Sequence, residues 1–139
     1  MQEHEGLIGI VLITHGNIGQ SMLDVASKLV EFERRYVHVV SSCTYSQQQL
    51  LAPIEQELQK MSDTKGYLVL TDLFGTTPTN IGQYFMHKYN LLVMSGLNMP
   101  MLLKALTYHN VSDDLRTFSQ KIYCAAKDCI VLVEGKKND

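Results

Sequence analysis

Three shortages narrow the field before any motif is considered. Cysteine is scarce: Cys43, Cys124 and Cys129 are odd in number and form no Cys-x-x-Cys pair, so they build neither a disulfide framework nor a zinc site and read as reduced, largely buried residues. Arginine is scarcer in effect, with Arg34, Arg35 and Arg116 all distant from the motifs described below. There is no basic stripe, and a net charge of -2 with a pI of about 6.2 argues against a nucleic-acid partner. Glu31-Phe32-Glu33-Arg34-Arg35 is the nearest thing to a charge run, and it mixes signs like a solvated helix end. Long apolar runs are missing too. Nothing approaches the roughly 20 residues that span a bilayer, and the acidic start, Met1 to Glu5, is too polar for a signal peptide. A cytoplasmic protein without membrane insertion is expected. No Gly-x-x-x-x-Gly-Lys phosphate loop and no structural zinc spacing occur, so neither metal nor cofactor is expected.

What remains is an ordinary globular composition: 139 residues, 45% hydrophobic and 19% charged. That is one domain with a single buried core, residues 1–5 and 134–139 being polar tails. Residues 7 to 13 are continuously apolar, as in a strand covered on both faces. Asn17 with Gln20 has capping-box spacing, and Met22, Val25, Ala26, Leu29 and Val30 extend a helical pattern over 18–33. Residues 36–40 form a second strand. Ser46 with Gln49 opens a second helix that Pro53 should bend or delay. Residues 66–71 make a third strand, after which Thr77 can cap a helix with Pro78 in its first position. Residues 91–94 are a fourth strand, followed by a helix with Pro100 in its first turn. Ser112, Asp113 and Asp114 open a last helix through Leu115, Phe118, Ile122 and Ala126. Residues 129–133 read as a fifth strand. Strict alternation with short connections predicts an α/β, doubly wound and mostly parallel sheet.

In such sheets ligands bind beyond the carboxyl ends of the strands, where strand order reverses. His15, Asp72 and the Ser95–Asn98 loop all follow strands, so they share one sheet edge. If strands one and three are neighbours, His15 and Asp72 meet across that crevice. A carboxylate beside an imidazole fixes its tautomer and leaves the other ring nitrogen as nucleophile or base. Thr76-Thr77-Pro78 brings hydroxyls and a helix N-terminus suited to phosphate, and Gly16 and Gly75 allow close backbone approach. Each residue also has a plainer reading: Asp72 as a strand end, Thr77 or Asn98 as a helix cap, Met99 as packing. Their coincidence on one edge favours the site. The other histidines are weaker candidates. His38 reads as a satisfied edge residue, His87 and His109 as cations near helix C-termini, and His4 lies in the tail.

Three stretches, Gly9-Ile-Val-Leu-Ile-Thr-His-Gly16, Thr71-Asp-Leu-Phe-Gly-Thr-Thr-Pro78 with Asn80, and Ser95-Gly-Leu-Asn-Met-Pro-Met-Leu102, together resemble the mannose/fructose/sorbose-type IIA components of the bacterial phosphoenolpyruvate-dependent phosphotransferase system. The resemblance implies strand order 2-1-3-4 with a fifth, antiparallel C-terminal strand exchanged within a homodimer. It implies that His15 carries the phosphoryl group, that Asp72 orients it and that Thr77 supplies a nearby hydroxyl. Gly16, Gly75 and Thr76 would line the phosphate, with Thr14, Asn98 and Met99 in the site or partner loops. Phosphorylated HPr would be the donor and a IIB component the acceptor, in sugar uptake. One departure stands out: Thr76 occupies a position where the family has glycine, placing a β-branched side chain in the turn.

Two other readings compete. A regulatory phosphocarrier without a sugar permease needs the same histidine. A histidine-phosphatase-like hydrolase would share the Thr14-His15-Gly16 look, but that chemistry uses arginines around the phosphoryl group. The phosphodonor subunit of dihydroxyacetone kinase is related, though the second and third stretches fit the mannose type better.

Overall fold

A computed structural model describes residues 6–42, 46–111 and 113–137. Four strands, β1 (Gly9–Thr14), β2 (Val37–Ser41), β3 (Tyr67–Thr71) and β4 (Leu91–Met94), form one parallel sheet in the order β2-β1-β3-β4. Helices α1 (Ile18–Ala26), α2 (Gln47–Lys60) and α3 (Thr77–Met86) alternate with them, and α4 (Met99–Tyr108) and α5 (Leu115–Asp128) follow β4 in succession. The α/β class and the strand order match the expectation.

The alternation of side chains along each strand divides the core in two. Ile10, Leu12, Leu68 and Leu70 point to one face, under Ala26 of α1, Leu102 and Leu106 of α4, and Phe118 and Ile122 of α5. Val11, Ile13 and Val69 point to the other, under Leu50, Ile54 and Leu58 of α2 and Ile81 and Phe85 of α3. Burial on both faces is what the unbroken apolar runs of β1 and β3 require.

Helix starts follow their caps. The Ser46–Gln49 capping box is present, Asn98 Oδ1 accepts from the Met101 amide, and Asp114 Oδ1 accepts from the Thr117 amide. Ser112 lies outside the described residues. Pro53 sits inside α2, which runs from Gln47 to Lys60 without interruption.

Three expectations are corrected. The first helix ends at Ala26, not near residue 33. The amides of Lys28 and Leu29 bond three residues back, to Val25 and Ala26, which tightens the backbone into a turn. Glu33 N–H then donates to Nε2 of His109, 3.2 Å away, which holds the chain off any helical path. Asn17 makes no side-chain cap bond, and Gln20 bonds Asp24. Second, His109 is no surface cation. It is fully buried, with Nδ1 donating to Ile8 O, and burial lowers its pKa against the opposing pull of that bond and of Glu33. Third, Cys124 and Cys129 are exposed rather than buried; Cys43 lies outside the described residues.

Residues 129–133, read as a fifth strand, pair with no strand among the described residues of the single chain. Ile130, Val131, Leu132 and Val133 are 72–86% exposed. The polar tails at 1–5 and 138–139 lie outside the described residues. Among those described, no helix is long and apolar enough to cross a membrane.

Candidate functional site

The strand order reverses between β1 and β3. From β1 the chain passes through α1 to β2 on one side, then crosses through α2 to β3 on the other. Ile13 pairs in register with Thr71, so the residues that leave the two strands emerge side by side. His15 and Asp72 meet there, as the reversal rule predicts.

Two bonds fix the Asp72 carboxylate: the His15 backbone N–H donates to Oδ2 at 3.1 Å and the Leu73 N–H to Oδ1 at 3.0 Å. His15 Nδ1 lies 3.0 Å from Oδ2 and 3.2 Å from Oδ1. A carboxylate can only accept, so Nδ1 donates to it, and in the neutral ring Nε2 keeps its lone pair. Among the described residues no partner engages Nε2. Burial by itself pushes the Asp72 carboxyl up. The bonds from the His15 amide and ring, together with the ring's charge, outweigh that and hold it below its ordinary value of 3.8. The carboxylate is 11% exposed and the imidazole 37%, so the pair has a dry side and an open one.

The strand end beneath His15 is clamped. Thr14 is fully buried, and its Oγ1 accepts from the Gly19 amide at 2.9 Å. Its carbonyl accepts from both the amide and the hydroxyl of Ser42. Thr14 was expected in a site or partner loop; the structure turns its side chain inward, where it holds α1 against the strand. Gly19 makes this approach possible, since a Cβ there would lie 2.9 Å from Thr14 Oγ1.

On the Asp72 side, Gly75 takes a left-handed φ of 77° and Gly16 one of 50°. Thr76, where the resemblance implied a glycine, has φ −111°, so it bears no left-handed strain. Helix α3 starts one residue earlier than expected: Thr76 occupies the cap position, Thr77 the first helical one and Pro78 the second. Thr76 Oγ1 makes no cap bond and donates instead to Leu73 O at 2.7 Å. That commits its proton, and among the described residues no partner engages the hydroxyl or the amide of Thr77 at the start of α3.

Asn98 and Met99 take the plainer reading. Asn98 caps α4 and donates to Ala126 O at 3.5 Å, and Met99 packs against the core. The Ser95–Asn98 loop is nonetheless tied to the site strand, through Leu97 N–H donating to Thr71 O. Arg34 and Arg35 precede β2 and Arg116 opens α5, which places them away from the edge that carries His15. Among the described residues no group of three His, Cys, Asp or Glu could hold a metal.

Sequence reading missed Ser42, Thr71 and Thr79, whose hydroxyls are buried beside the site. The available signal was a hydroxyl at the end of an apolar strand or in a helix's first turn, which also fits ordinary capping.

The model of the family described as PTS system fructose IIA component matches residues 9–123. The mannose-specific EIIAB component of the phosphotransferase system of Escherichia coli (strain K12) is 27% identical over 121 residues, covering 86% of this chain and 36% of that protein. The chain thus spans about a third of the length of the curated relatives it matches. Among solved structures, phosphotransferase system component EIIA from Streptococcus agalactiae superposes with a TM-score of 0.79 at 27% identity, covering 90% of this chain and 96% of that one. The mannose/sorbose specific IIA subunit from Enterococcus faecalis reaches 0.82 at 21% identity, covering 96% and 99%, a likeness of fold.

Proposed function

The chain belongs to the PTS system fructose IIA component family, and from that premise we propose that it is a phosphocarrier that holds a phosphoryl group on His15. The observation that carries this reading is the Asp72 carboxylate on Nδ1, which leaves Nε2 as the nucleophile. Phosphorylated HPr is the donor. The Nε2 lone pair attacks its phosphorus in line, the new N–P bond forms as the donor's breaks, and the other ring proton stays on Nδ1, donated to the Asp72 carboxylate. A histidine of a IIB component then takes the group by the reverse geometry, in sugar uptake. The E. coli relative, whose name joins an A and a B component, supports this pairing. Transfer between two nitrogens of similar basicity calls for positioning and charge stabilisation, which the crevice supplies.

Charge on the phosphoryl oxygens is met by Thr77, by the first-turn amides of α3 and by the backbone at Gly16 and Gly75. Thr76 contributes through its backbone, its hydroxyl being committed to Leu73 O.

The protein acts as a cytoplasmic homodimer in which residues 129–133 of each copy form a fifth, antiparallel strand on the other. The open edge of β4 and the exposed run Ile130–Val133 support that arrangement.

Incubation with phosphoenolpyruvate, Enzyme I and HPr, followed by intact mass, tests the carrier role. One acid-labile, base-stable phosphoryl group is expected, absent from His15→Ala. No label on the wild type, or label persisting in that variant, would sink the assignment.

A further inference from the structure

Asp72 can orient His15 only if the backbone on both sides of it is held, and the two sides are held differently. Before Asp72, Thr71 belongs to β3, is paired with Ile13, and its carbonyl accepts from Leu97 N–H at 2.9 Å. After Asp72 the chain leaves the sheet. Leu73 is 58% and Phe74 74% exposed, so neither packing nor the strand ladder restrains that segment. Yet Leu73 N–H is one of the two donors that aim the carboxylate.

Thr79 spans this gap from inside the first turn of α3. It is 1% exposed, and its Oγ1 lies 2.6 Å from Leu73 O and 2.9 Å from Thr71 Oγ1. A carbonyl only accepts, so the Thr79 O–H donates to Leu73 O, and the Thr71 O–H therefore donates to Thr79 Oγ1. The result is a hydroxyl chain that bridges the residues on either side of Asp72. Thr76 gives Leu73 O a second bond, but from a partly exposed position where water can take its place. A threonine in a helix's first turn ordinarily serves its own helix. This one reaches back six residues, to the carboxylate's neighbour.

We propose that Thr79 is a positioning residue for phosphoryl transfer, setting the Asp72 carboxylate through Leu73 and Thr71 and so keeping the His15 proton on Nδ1. The proposal rests on the phosphocarrier reading of the same site. Without the Thr79 bond, the Leu73–Phe74 peptide can rotate, which shifts Leu73 and the N–H that aims Oδ1, and so draws the carboxylate off Nδ1. The imidazole then divides between tautomers, and the fraction protonated on Nε2 has no lone pair with which to attack phosphorus.

The test uses Thr79→Val, which keeps the branched shape without the hydroxyl, and Thr79→Ser, which restores it. Thermal melts first establish that each variant is folded. Nitrogen-15 NMR of the His15 ring then reads the tautomer, and phosphorylation by phospho-HPr gives the maximal rate and half-saturating donor concentration. Thr79→Val is expected to raise the Nε2–H population and lower the maximal rate roughly tenfold, since small misplacements at a reacting centre are costly. Half-saturation should be unchanged, and Thr79→Ser should recover both readouts. A folded Thr79→Val with wild-type tautomer and rate overturns the proposal, as does a loss that Thr79→Ser does not repair. Failure of the wild type to be labelled would instead overturn the phosphocarrier reading, while the ring spectrum still decides the role of Thr79. Should Thr79→Val not fold, Thr71→Val removes only the Thr71-to-Thr79 bond. A smaller tautomer shift is expected there, and an unchanged spectrum counts against the proposal.

Discussion

Two histidine–carboxylate pairs stand among the described residues, one in the crevice between β1 and β3, the other on the outer edge where β2 meets α2. In the first, His15 Nδ1 is 3.0 Å from Asp72; in the second, His38 Nδ1 is 2.9 Å from Glu57. The contact is the same, and what surrounds it differs. His38 turns Nε2 toward the carbonyl of Arg35 at 3.2 Å, so both its ring nitrogens face acceptors. His15 leaves Nε2 unengaged among the described residues. Asp72 is held by two backbone amides besides the ring, and it follows a buried strand end. Glu57 rides on a helix face, 29% exposed, and shares its carboxylate with Lys60. A histidine beside a carboxylate is therefore a contact that a fold can use as a clip. It becomes a candidate carrier when the carboxylate is fixed and the second nitrogen is left over.

The widest separation is expected in labelling. His15→Ala loses the phosphoryl group entirely, whereas His38→Ala takes it up like the wild type; label on His38 would erase the distinction. Next come the carboxylates. Asp72→Asn should slow transfer by at least about tenfold while keeping the fold, as is common for partners that orient a reacting group. Glu57→Gln should stay within a factor of about two, and equal losses from both variants would break the comparison. In stability the order changes. Glu57→Gln should cost less than about 1 kcal/mol by urea unfolding, because both partners are partly solvated.

Acid titration sharpens the contrast further. The Asp72 carboxyl is lowered in the folded state, so its contribution to stability is fully present above about 3.8 and disappears as pH falls through the lower folded value. The His15 ring signals should accordingly report an intact contact at pH 4.5. A third imidazole behaves in the opposite chemical sense. Burial lowers the His109 pKa, so the unfolded chain takes up its proton first, and stability should decline as pH drops below about 6.5. Melting temperatures between pH 7.5 and 5.5 measure that slope, and a flat profile would remove His109 from the account.

Much of this was legible in residue order. Unbroken apolar runs gave the buried strands, and Ser46 with Gln49, or the Ser112-Asp113-Asp114 stretch, gave helix starts, because these signals are local. The meeting of His15 with Asp72 followed from the position of each residue after its strand, given adjacency of β1 and β3. What escaped depends on contacts distant in sequence. The end of α1 was missed because Leu29 and Val30 keep helical spacing while the backbone has already tightened, and the Glu33 amide is taken by a histidine 76 residues away. Thr14 was placed in a loop because its amide of choice, on Gly19, is visible only once α1 has docked. Thr79 was not singled out at all, because its bonds to Leu73 and Thr71 exist only once α3 has docked on the strand end.

The exposed run Ile130-Val131-Leu132-Val133 has a consequence beyond the site. Four consecutive β-prone, uncharged residues without proline make the kind of segment that pairs indiscriminately with other strand edges. Lys127 and Asp128 precede it across Cys129, and Glu134 follows it, with Lys136 and Lys137 just beyond Gly135. Charges in those places act as gatekeepers: stacking many copies in register would stack like charges as well. The exposed run thus carries, near both ends, the means to discourage a fibril.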